Sequence, residues 1–294
     1  AAPAATTIGN VSGSVAAGEQ VLIGTMNLAQ ALGAAGGVMG STTVTGGGDF
    51  RMVVGPVTTL GNIDLSGMNS STSASQVFLS GTTTPVGVIY TGSAGDDIFS
   101  GTAGSDVIDP GLGRDRVFTD GANDNVTITE TVNSPDTVIR IVAALGTTDI
   151  DTITGFTTGN GGDIIGFDTD GANGIAAGGF IARSGIDLAT NGTAAPVLID
   201  VTKNQTVTTA GNIIKVAYDA DVDAITDVTP TITLNSASAA TDLMPIIWYD
   251  DDGGFMEVGI SNANQALGDT SFVFASGTYT PLARVPMTSA RYTA

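Results

Sequence analysis

The sequence is long enough for one large or two ordinary domains, and its charge is strongly negative. It has 294 residues, with 29 Asp and Glu against nine Lys and Arg, for a formal net charge of −20. This charge repels phosphate backbones and anionic head groups, so we expect no nucleic-acid partner and no membrane insertion. His and Cys are absent, which excludes zinc and haem sites, disulfides and every Ser-His-Asp or Cys-His mechanism.

The composition favours short strands separated by turns. Gly contributes 41 residues, and only 13% of the chain is charged, which is atypical of a helical enzyme scaffold. We therefore predict an all-β fold that begins with an N-terminal β-rich segment over residues 1–90. The strands predicted in this segment are Gln20–Ile23, Thr42–Thr45, Phe50–Val54, Val77–Leu79 and Val86–Tyr90.

A nine-residue repeat begins near Thr91, in the most acidic third of the chain. Asp recurs every nine residues, with an apolar residue two positions after each Asp and Gly two positions before most of them. Gly permits the positive φ of a tight loop, Asp is short enough to turn back onto that loop, and the apolar residue points inward from a short strand. The repeated residues are Gly95, Gly104, Gly113, Asp97, Asp106, Asp115 and Asp124.

This period predicts a parallel β-roll over residues 91–175, with two repeats in each turn. Residues eighteen apart are then neighbours, so Asp97 lies beside Asp115, and Asp106 beside Asp124 on the opposite edge. Stacked carboxylates repel each other unless a hard cation bridges them, and Ca²⁺ prefers carboxylate and carbonyl oxygens. We therefore expect Ca²⁺ as the cofactor, with side-chain ligands from Asp and with turns and carbonyls from Gly.

The units Gly92–Ser100, Gly101–Asp109 and Pro110–Phe118 resemble the Gly- and Asp-rich nonapeptide of the RTX, or haemolysin-type calcium-binding, family. The segments Asp151–Phe156 and Gly162–Asp168 resemble the sequence that follows such rolls. This resemblance implies a secreted protein, and it makes Asp163 and Asp168 candidate calcium ligands, with turn capping as an equal alternative. The candidate metal-binding residues are Gly95, Asp97, Gly104, Asp106, Gly113, Asp115, Asp124, Asp163 and Asp168.

Residues 176–294 are predicted to form a C-terminal β-rich domain. The Asp- and Gly-rich stretch 250–254 between two β-prone runs predicts a hairpin. For the acidic stretches 219–223 and 250–252, a polar turn and a lone calcium site are the two alternatives. Trp248 and Tyr249 are core residues or, alternatively, a sugar platform. The other strands predicted here are Val197–Val201, Ile213–Tyr218, Thr231–Leu234 and Ser271–Phe274.

The pattern as a whole predicts a structural protein rather than an enzyme. The sequence contains neither a phosphate-binding loop nor a G-x-S-x-G motif. The stretch Asn62–Gly67 resembles RTX-bearing surface-layer proteins. We expect a secreted, self-assembling subunit of a bacterial surface layer or extracellular filament, whose main partner is another copy of itself. The alternatives are a fragment of a calcium-dependent carbohydrate-active RTX enzyme, and an RTX adhesin that binds a cell-surface glycan.

Overall fold

The structure of the chain is a computed structural model, and it divides the chain into two compact units. One unit comprises Ala1–Arg140 with Asp151–Gly166, and the other comprises Ile141–Ile150 with Phe167–Ala294. The structure describes residues 7–8, 11–24, 37–54, 57–72, 74–79, 87–129, 134–141, 149–158, 162–168, 198–202, 206–207, 213–228, 231–233, 243–262, 271–273 and 279–293.

The first unit is built from short strands that pair in parallel, and their bounds are as follows. They are β1 Thr7–Ile8, β2 Val11–Val15, β3 Gln20–Gly24, β4 Gly37–Met39, β5 Thr42–Gly46, β6 Asp49–Val53, β7 Val57–Leu60, β8 Ile63–Met68, β9 Ser75–Phe78, β10 Ile89–Thr91, β11 Asp97–Ser100, β12 Val107–Asp109, β13 Arg116–Thr119, β14 Asn125–Thr127, β15 Thr137–Ile141, β16 Asp151–Thr154 and β17 Ile164–Asp168.

These strands form two long sheets and one short sheet. Sheet 1 has the order β2-β5-β8-β10-β12-β14-β16, and sheet 2 has the order β3-β6-β9-β11-β13-β15-β17. The short sheet has the order β1-β4-β7. From β8 to β17, successive strands alternate between sheet 1 and sheet 2, so the chain passes from one sheet to the other and back in each turn.

The inner faces of sheets 1 and 2 meet in an apolar core. The rings of Tyr90 in sheet 1 and Phe99 in sheet 2 stack with their centroids 4.2 Å apart. Ile108, Val117 and Val126 are also fully buried, which confirms that the apolar residue of each repeat points inward. Because the inner faces meet, the outer faces of the two sheets point in opposite directions.

The all-β prediction is confirmed, and most predicted strands lie within one or two residues of a described strand. The predicted strand Val86–Tyr90 corresponds to β10, and Val86 itself lies outside the described residues. The domain boundary predicted at residue 90 falls inside the first unit. Tyr90 of β10 pairs with Ile63 of β8 and with Ile108 of β12, so the parallel pairing continues across that position.

The second unit also consists mainly of strands. Its larger sheet has the order β18-β20-β22-β23-β25, and a small sheet has the order β19-β21-β24. The predicted hairpin is confirmed, since β22 and β23 pair antiparallel on either side of residues 251–254. The elements are β18 Leu198–Val201, β19 Thr206–Val207, β20 Ile213–Val216, a 3₁₀ helix Ile225–Asp227, β21 Thr231–Thr233, β22 Leu243–Asp250, β23 Phe255–Asn262, β24 Ser271–Val273, β25 Tyr279–Pro286 and α1 Ser289–Thr293.

The core of the second unit gathers around Trp248. Val201, Ile214, Val216 and Ile246 pack with it as a buried cluster. In the described part of the chain, no helix has the length and apolar character needed to cross a membrane.

Two buried aspartate rows as the candidate functional site

Two rows of Asp residues, all buried except the half-buried Asp163, run along the first unit, one at the start of the strands of each long sheet. The sheet-2 row lies at the beginning of β11, β13, β15 and β17, and the sheet-1 row lies at the beginning of β12, β14 and β16. In the nine-residue units the position is set by the repeat, because each Asp follows a turn and comes two residues before an inward apolar side chain. The sheet-2 row is Asp97, Asp115, Asp136 and Asp163, and the sheet-1 row is Asp106, Asp124 and Asp151.

The sheet-2 row is linked by hydrogen bonds from backbone to side chain. The N–H of Asp97 donates to Oδ1 of Asp115 over 2.7 Å, and the N–H of Asp115 donates to Oδ1 of Asp136 over 2.8 Å. The N–H of Asp136 donates to Oδ1 of Asp163 over 3.0 Å. Each carboxylate therefore binds the backbone of the preceding turn, and the predicted pairing of Asp97 with Asp115 is confirmed.

The sheet-1 row repeats this arrangement on the opposite edge. The N–H of Asp106 donates to Oδ1 of Asp124 over 2.7 Å, and the N–H of Asp124 donates to Oδ1 of Asp151 over 3.1 Å. The hydroxyl of Thr119 donates to Oδ2 of Asp151 over 2.7 Å. The predicted pairing of Asp106 with Asp124 is thus also confirmed.

The carboxylate of Asp97 is surrounded by hydrogen-bond donors. Oδ1 accepts bonds from the N–H and hydroxyl of Ser75 at 3.0 and 2.7 Å and from the hydroxyl of Ser93 at 2.8 Å. Oδ2 accepts bonds from the N–H of Ser93 at 2.6 Å and from the hydroxyl of Tyr90 at 3.3 Å. Five donors thus converge on this one buried side chain.

The carboxylate of Asp106 is held in a similar way by its own loop. Oδ1 accepts bonds from the N–H of Val88 at 2.8 Å and from the hydroxyl of Thr102 at 2.9 Å, and Oδ2 accepts one from the N–H of Thr102 at 2.8 Å. Thr102 occupies the same repeat position as Ser93, four residues before the Asp. A hydroxyl residue at this position therefore closes the loop on its own Asp.

Burial makes these carboxylates less acidic in spite of their hydrogen bonds. Burial raises the pKa of Asp97, and the bonds from Ser93 and Ser75 partly oppose that rise. Burial likewise raises the pKa of Asp106 to about 6, against bonds from Thr102 and Val88 and with a small addition from the charge of Asp120. The pKa of Tyr90 is raised well above its usual value by burial and then by the charge of Asp97.

The predicted Gly positions serve the turns of the same loops. Gly113 has a φ of 129°, and a Cβ there would approach the backbone of Gly95 to 2.6 Å. The N–H groups of Gly95 and Gly104 donate to the hydroxyl oxygens of Ser93 and Thr102 at 3.2 and 3.1 Å. In the fourth repeat Ala122 stands where the others have Gly, and it adopts a φ of 65°.

The arrangement at Asp97 and Asp106 does not fit a calcium ion. Ca²⁺ needs six to eight oxygen acceptors that converge on one position, whereas the groups described above that contact these two carboxylates are N–H and O–H donors. Among the described residues there is also no group of three or more acidic side chains that could hold a metal. A cation at these two loops would have to displace their hydrogen bonds, and calcium binding by the other predicted residues stays a prediction.

Sequence reasoning missed Asp136 and Asp151, because neither lies on the nine-residue period. The signal that could have found them is the local pattern of Asp followed two residues later by a buried apolar residue, Val138 or Ile153. The predicted residue Asp163 has a capping role, since its Oδ2 accepts a bond of 2.6 Å from the N–H of Thr157. Asp168 ends β17, and its side chain lies outside the described residues.

The acidic stretches of the second unit form turn hydrogen bonds. Oδ1 of Asp219 accepts a bond from the N–H of Asp221 at 3.0 Å, and Oδ1 of Asp250 accepts one from the N–H of Gly253 at 2.6 Å. Both contacts are those of ordinary polar turns. Trp248 and Tyr249 are 3% and 6% exposed, so their described positions are those of core residues.

A buried charged group in the second unit was not anticipated from the sequence. Oε1 of Glu257 accepts a bond from Nε1 of Trp248 at 3.2 Å, and Oε2 accepts one from Nε of Arg284 at 2.9 Å. The guanidinium of Arg284 lies 4.7 Å from the ring centroid of Phe255. The three partners lie on adjacent strands, so the carboxylate is held as a structural ion pair.

Comparison of the chain with protein-family models, with curated proteins and with solved structures finds no match.

Proposed function

We propose that the chain is a secreted structural subunit, built on a parallel β-roll of the RTX type, that assembles into a bacterial surface layer or extracellular filament. The observation that carries this proposal is how the chain uses its buried carboxylates. In both rows they accept backbone hydrogen bonds from the preceding turn. Carboxylates fixed in this way act as structural acceptors and not as acids, bases or nucleophiles. The acidic repeat therefore favours a structural role over a catalytic one.

Calcium is proposed for the loops that lack a hydroxyl at the second repeat position. In the Asp115 unit this position is Gly111, where the first two units have Ser93 and Thr102. Such a loop lacks the hydroxyl donor that contacts Asp97 and Asp106, and a hard cation prefers the carboxylate and carbonyl oxygens that the loop contains. The resemblance of the repeat to the RTX family supports the same assignment, and it also supports secretion and a place on the cell surface.

The enzyme and adhesin alternatives have less support. Both oxygens of Glu257, the buried acid of the second unit, accept hydrogen bonds from protein side chains, which argues against a role as a catalytic acid or nucleophile. Trp248 and Tyr249 are buried, which argues against a sugar platform at these rings. Neither alternative has a described group that is poised for its chemistry.

The test is to image the purified chain with and without calcium. We expect ordered sheets or filaments at millimolar calcium that disperse on chelation, seen by electron microscopy and light scattering, with magnesium at equal ionic strength as the control. A chain that stays monomeric at high protein and calcium concentrations would contradict the proposal. Assays for polysaccharide cleavage and for glycan binding would then separate the two alternatives.

A further inference from the structure

The outer face of sheet 1 carries a row of hydroxyl and carboxylate side chains. Thr43, Asp64, Thr91 and Asp109 are consecutive cross-strand partners on β5, β8, β10 and β12. Oδ1 of Asp64 accepts bonds from Ser66, and Oδ1 of Asp109 accepts a bond from the next turn. We call this row the acidic face, and its two carboxylates are held in place by these local bonds.

A row on the outer face of sheet 2 carries the opposite charge. Arg51, Gln76, Ile98, Arg116 and Thr137 are consecutive cross-strand partners on β6, β9, β11, β13 and β15. Arg51 is exposed, and its guanidinium lies 5.9 Å from the ring centroid of Phe78. Within the described residues, neither arginine forms a salt bridge. We call this row the arginine face.

We propose that the arginine face of one copy docks on the acidic face of a second copy. This inference rests on the proposed self-assembly and says which surfaces meet. A second copy is the partner because the charges of the two rows are complementary. The chain, whose net charge is −20, has two arginines in one outer row, unbridged within the described residues, and two carboxylates in the other. Both faces lie on the outer sides of parallel sheets, so their strand repeats of about 4.8 Å are the same.

The charged groups of the two faces can reach each other. Asp64 and Asp109 are two strands apart, about 10 Å, and Arg51 and Arg116 are three strands apart, about 14 Å, at the usual strand spacing. The long arginine side chain covers this difference and offers several N–H donors to a carboxylate. Repulsion between the net charges of two copies is screened beyond about 10 Å at 0.1 M salt, whereas contacts between the faces act at shorter range.

The position of the two faces makes the contact open-ended. The faces differ and point in opposite directions, so a docked pair still presents one free face of each kind, and such heterologous contacts continue indefinitely. The seven strands of each sheet at about 4.8 Å, by three residues at about 3.3 Å, give about 330 Å² for the outer surface that carries each face. This is smaller than a standard protein interface, so a single contact is weak and the assembly depends on repetition.

The first experiment is a charge exchange between the faces. One variant carries Arg51→Glu and Arg116→Glu, and the other carries Asp64→Lys and Asp109→Lys. We expect the assembled fraction, measured by sedimentation, to be at least about tenfold lower for each variant alone. An equimolar mixture should regain it, because the exchanged faces are complementary between the two proteins. Circular dichroism checks that each variant is folded.

Matched controls separate the position of a charge from the amount of charge. Arg114→Glu with Arg291→Glu changes the net charge by the same amount, at two exposed arginines outside the arginine face, and should assemble like the parent chain. If the lysine variant does not fold, Asp64→Asn with Asp109→Asn replaces it, because the Asn side chains keep an acceptor oxygen for the local bonds. It should lower assembly several-fold without loss of the circular dichroism signal.

The second experiment uses the absence of Cys from the chain. A Gln76→Cys protein mixed with a Thr91→Cys protein should give a disulfide-linked heterodimer in larger yield than either homodimer. In the control, a Leu112→Cys protein replaces one of these two proteins in the mixture. Leu112 is 54% exposed and lies in a turn, and its variant should cross-link at least fivefold less. Equal cross-linking with the control would overturn the docking.

The outcomes distinguish this inference from the proposed function. If the parent chain assembles and the charge variants assemble equally well, the docking is wrong and self-assembly stands. If the parent chain forms no ordered assemblies but the Gln76→Cys and Thr91→Cys proteins still cross-link, the faces meet and self-assembly fails. If neither occurs, both proposals fail. Loss of binding to an acidic polysaccharide in the Arg51→Glu and Arg116→Glu variant, with assembly unchanged, would assign the arginine face to a glycan instead.

Discussion

The backbone N–H of Asp97 donates a 2.7 Å hydrogen bond to Oδ1 of Asp115, eighteen residues further along the chain. This contact joins two successive turns of the first unit through one side chain and one amide. The same relationship recurs between Asp106 and Asp124 on the opposite edge. The repeated Asp therefore fixes the stacking of the turns, in addition to any role with a metal.

Removal of the Asp106 carboxylate should destabilise the first unit. Asp106→Ala leaves the buried N–H groups of Val88 and Thr102 without their acceptor, and each such loss costs about 1–3 kcal/mol. We expect a loss of about 3 kcal/mol in the free energy of unfolding, measured by chemical denaturation. Asp109→Ala is the control, since this half-buried carboxylate accepts a single described bond, from Gly111. An equal loss in both variants would show that the row is not the cause.

The raised pKa of Asp106 predicts that the metal-free chain loses stability as the pH rises. The pKa is about 6 in the folded chain and about 4 in an unfolded one, so the folded state binds the proton more tightly. The contribution of Asp106 to stability is therefore present below pH 4 and is lost as the pH rises through 6, by about 3 kcal/mol in total.

The pH dependence should be measured by denaturant unfolding between pH 4 and 7 in a chelator, because a bound cation would lower the pKa. Asp106→Asn is the control, since it cannot titrate at this position, and other carboxylates contribute equally to both proteins. A slope of stability against pH that is the same in the parent chain and in Asp106→Asn would contradict the assignment.

The stacking of Asp97 with Asp115 could be predicted from the sequence because two repeats of constant length make one turn. The prediction stopped where the turn length changes, since Asp136 lies 21 residues after Asp115, and Asp151 lies 27 residues after Asp124. The Ser93 and Thr102 donors were also missed, because the direction of a hydroxyl depends on the loop that carries it. The spacing of the repeat can thus identify the row of Asp residues without identifying the hydrogen-bond donors that contact their carboxylates.

The arginine face shows a second limit of sequence reasoning. Arg51 and Arg116 are 65 residues apart and belong to turns of different length, so no period relates them. They share one outer row only because parallel pairing through β9 and β11 keeps the register. The residues of the outer rows can therefore be identified only once the strand pairing is known.

Ala122 should be a position where Gly stabilises the chain. It adopts a φ of 65° at the repeat position that Gly occupies in the other three units, and this conformation costs a side chain about 1 kcal/mol. We expect Ala122→Gly to raise the free energy of unfolding by up to about 0.5 kcal/mol, because the entropy of Gly in the unfolded chain, about 0.4–1 kcal/mol, offsets most of the relieved strain. Ala94→Gly, at a residue without positive φ, should instead lower it. A loss of stability in both variants would contradict this account.

Calcium binding, if it follows the repeat, should depend on Asp115 more than on Asp124. Asp115 follows Gly113, whose φ of 129° suits the loop, whereas Asp124 follows the strained Ala122. We expect Asp115→Ala to weaken calcium binding at least about tenfold and Asp124→Ala to weaken it less, as measured by calorimetric titration. Asp97→Ala tests the donor-filled loop, where the structure leads us to expect the smallest direct effect on binding and a loss of stability instead. Two results would contradict the distinction between loops closed by a hydroxyl donor and loops proposed to bind calcium. One is an equal loss of affinity in all three variants, and the other is a loss that is largest for Asp97→Ala.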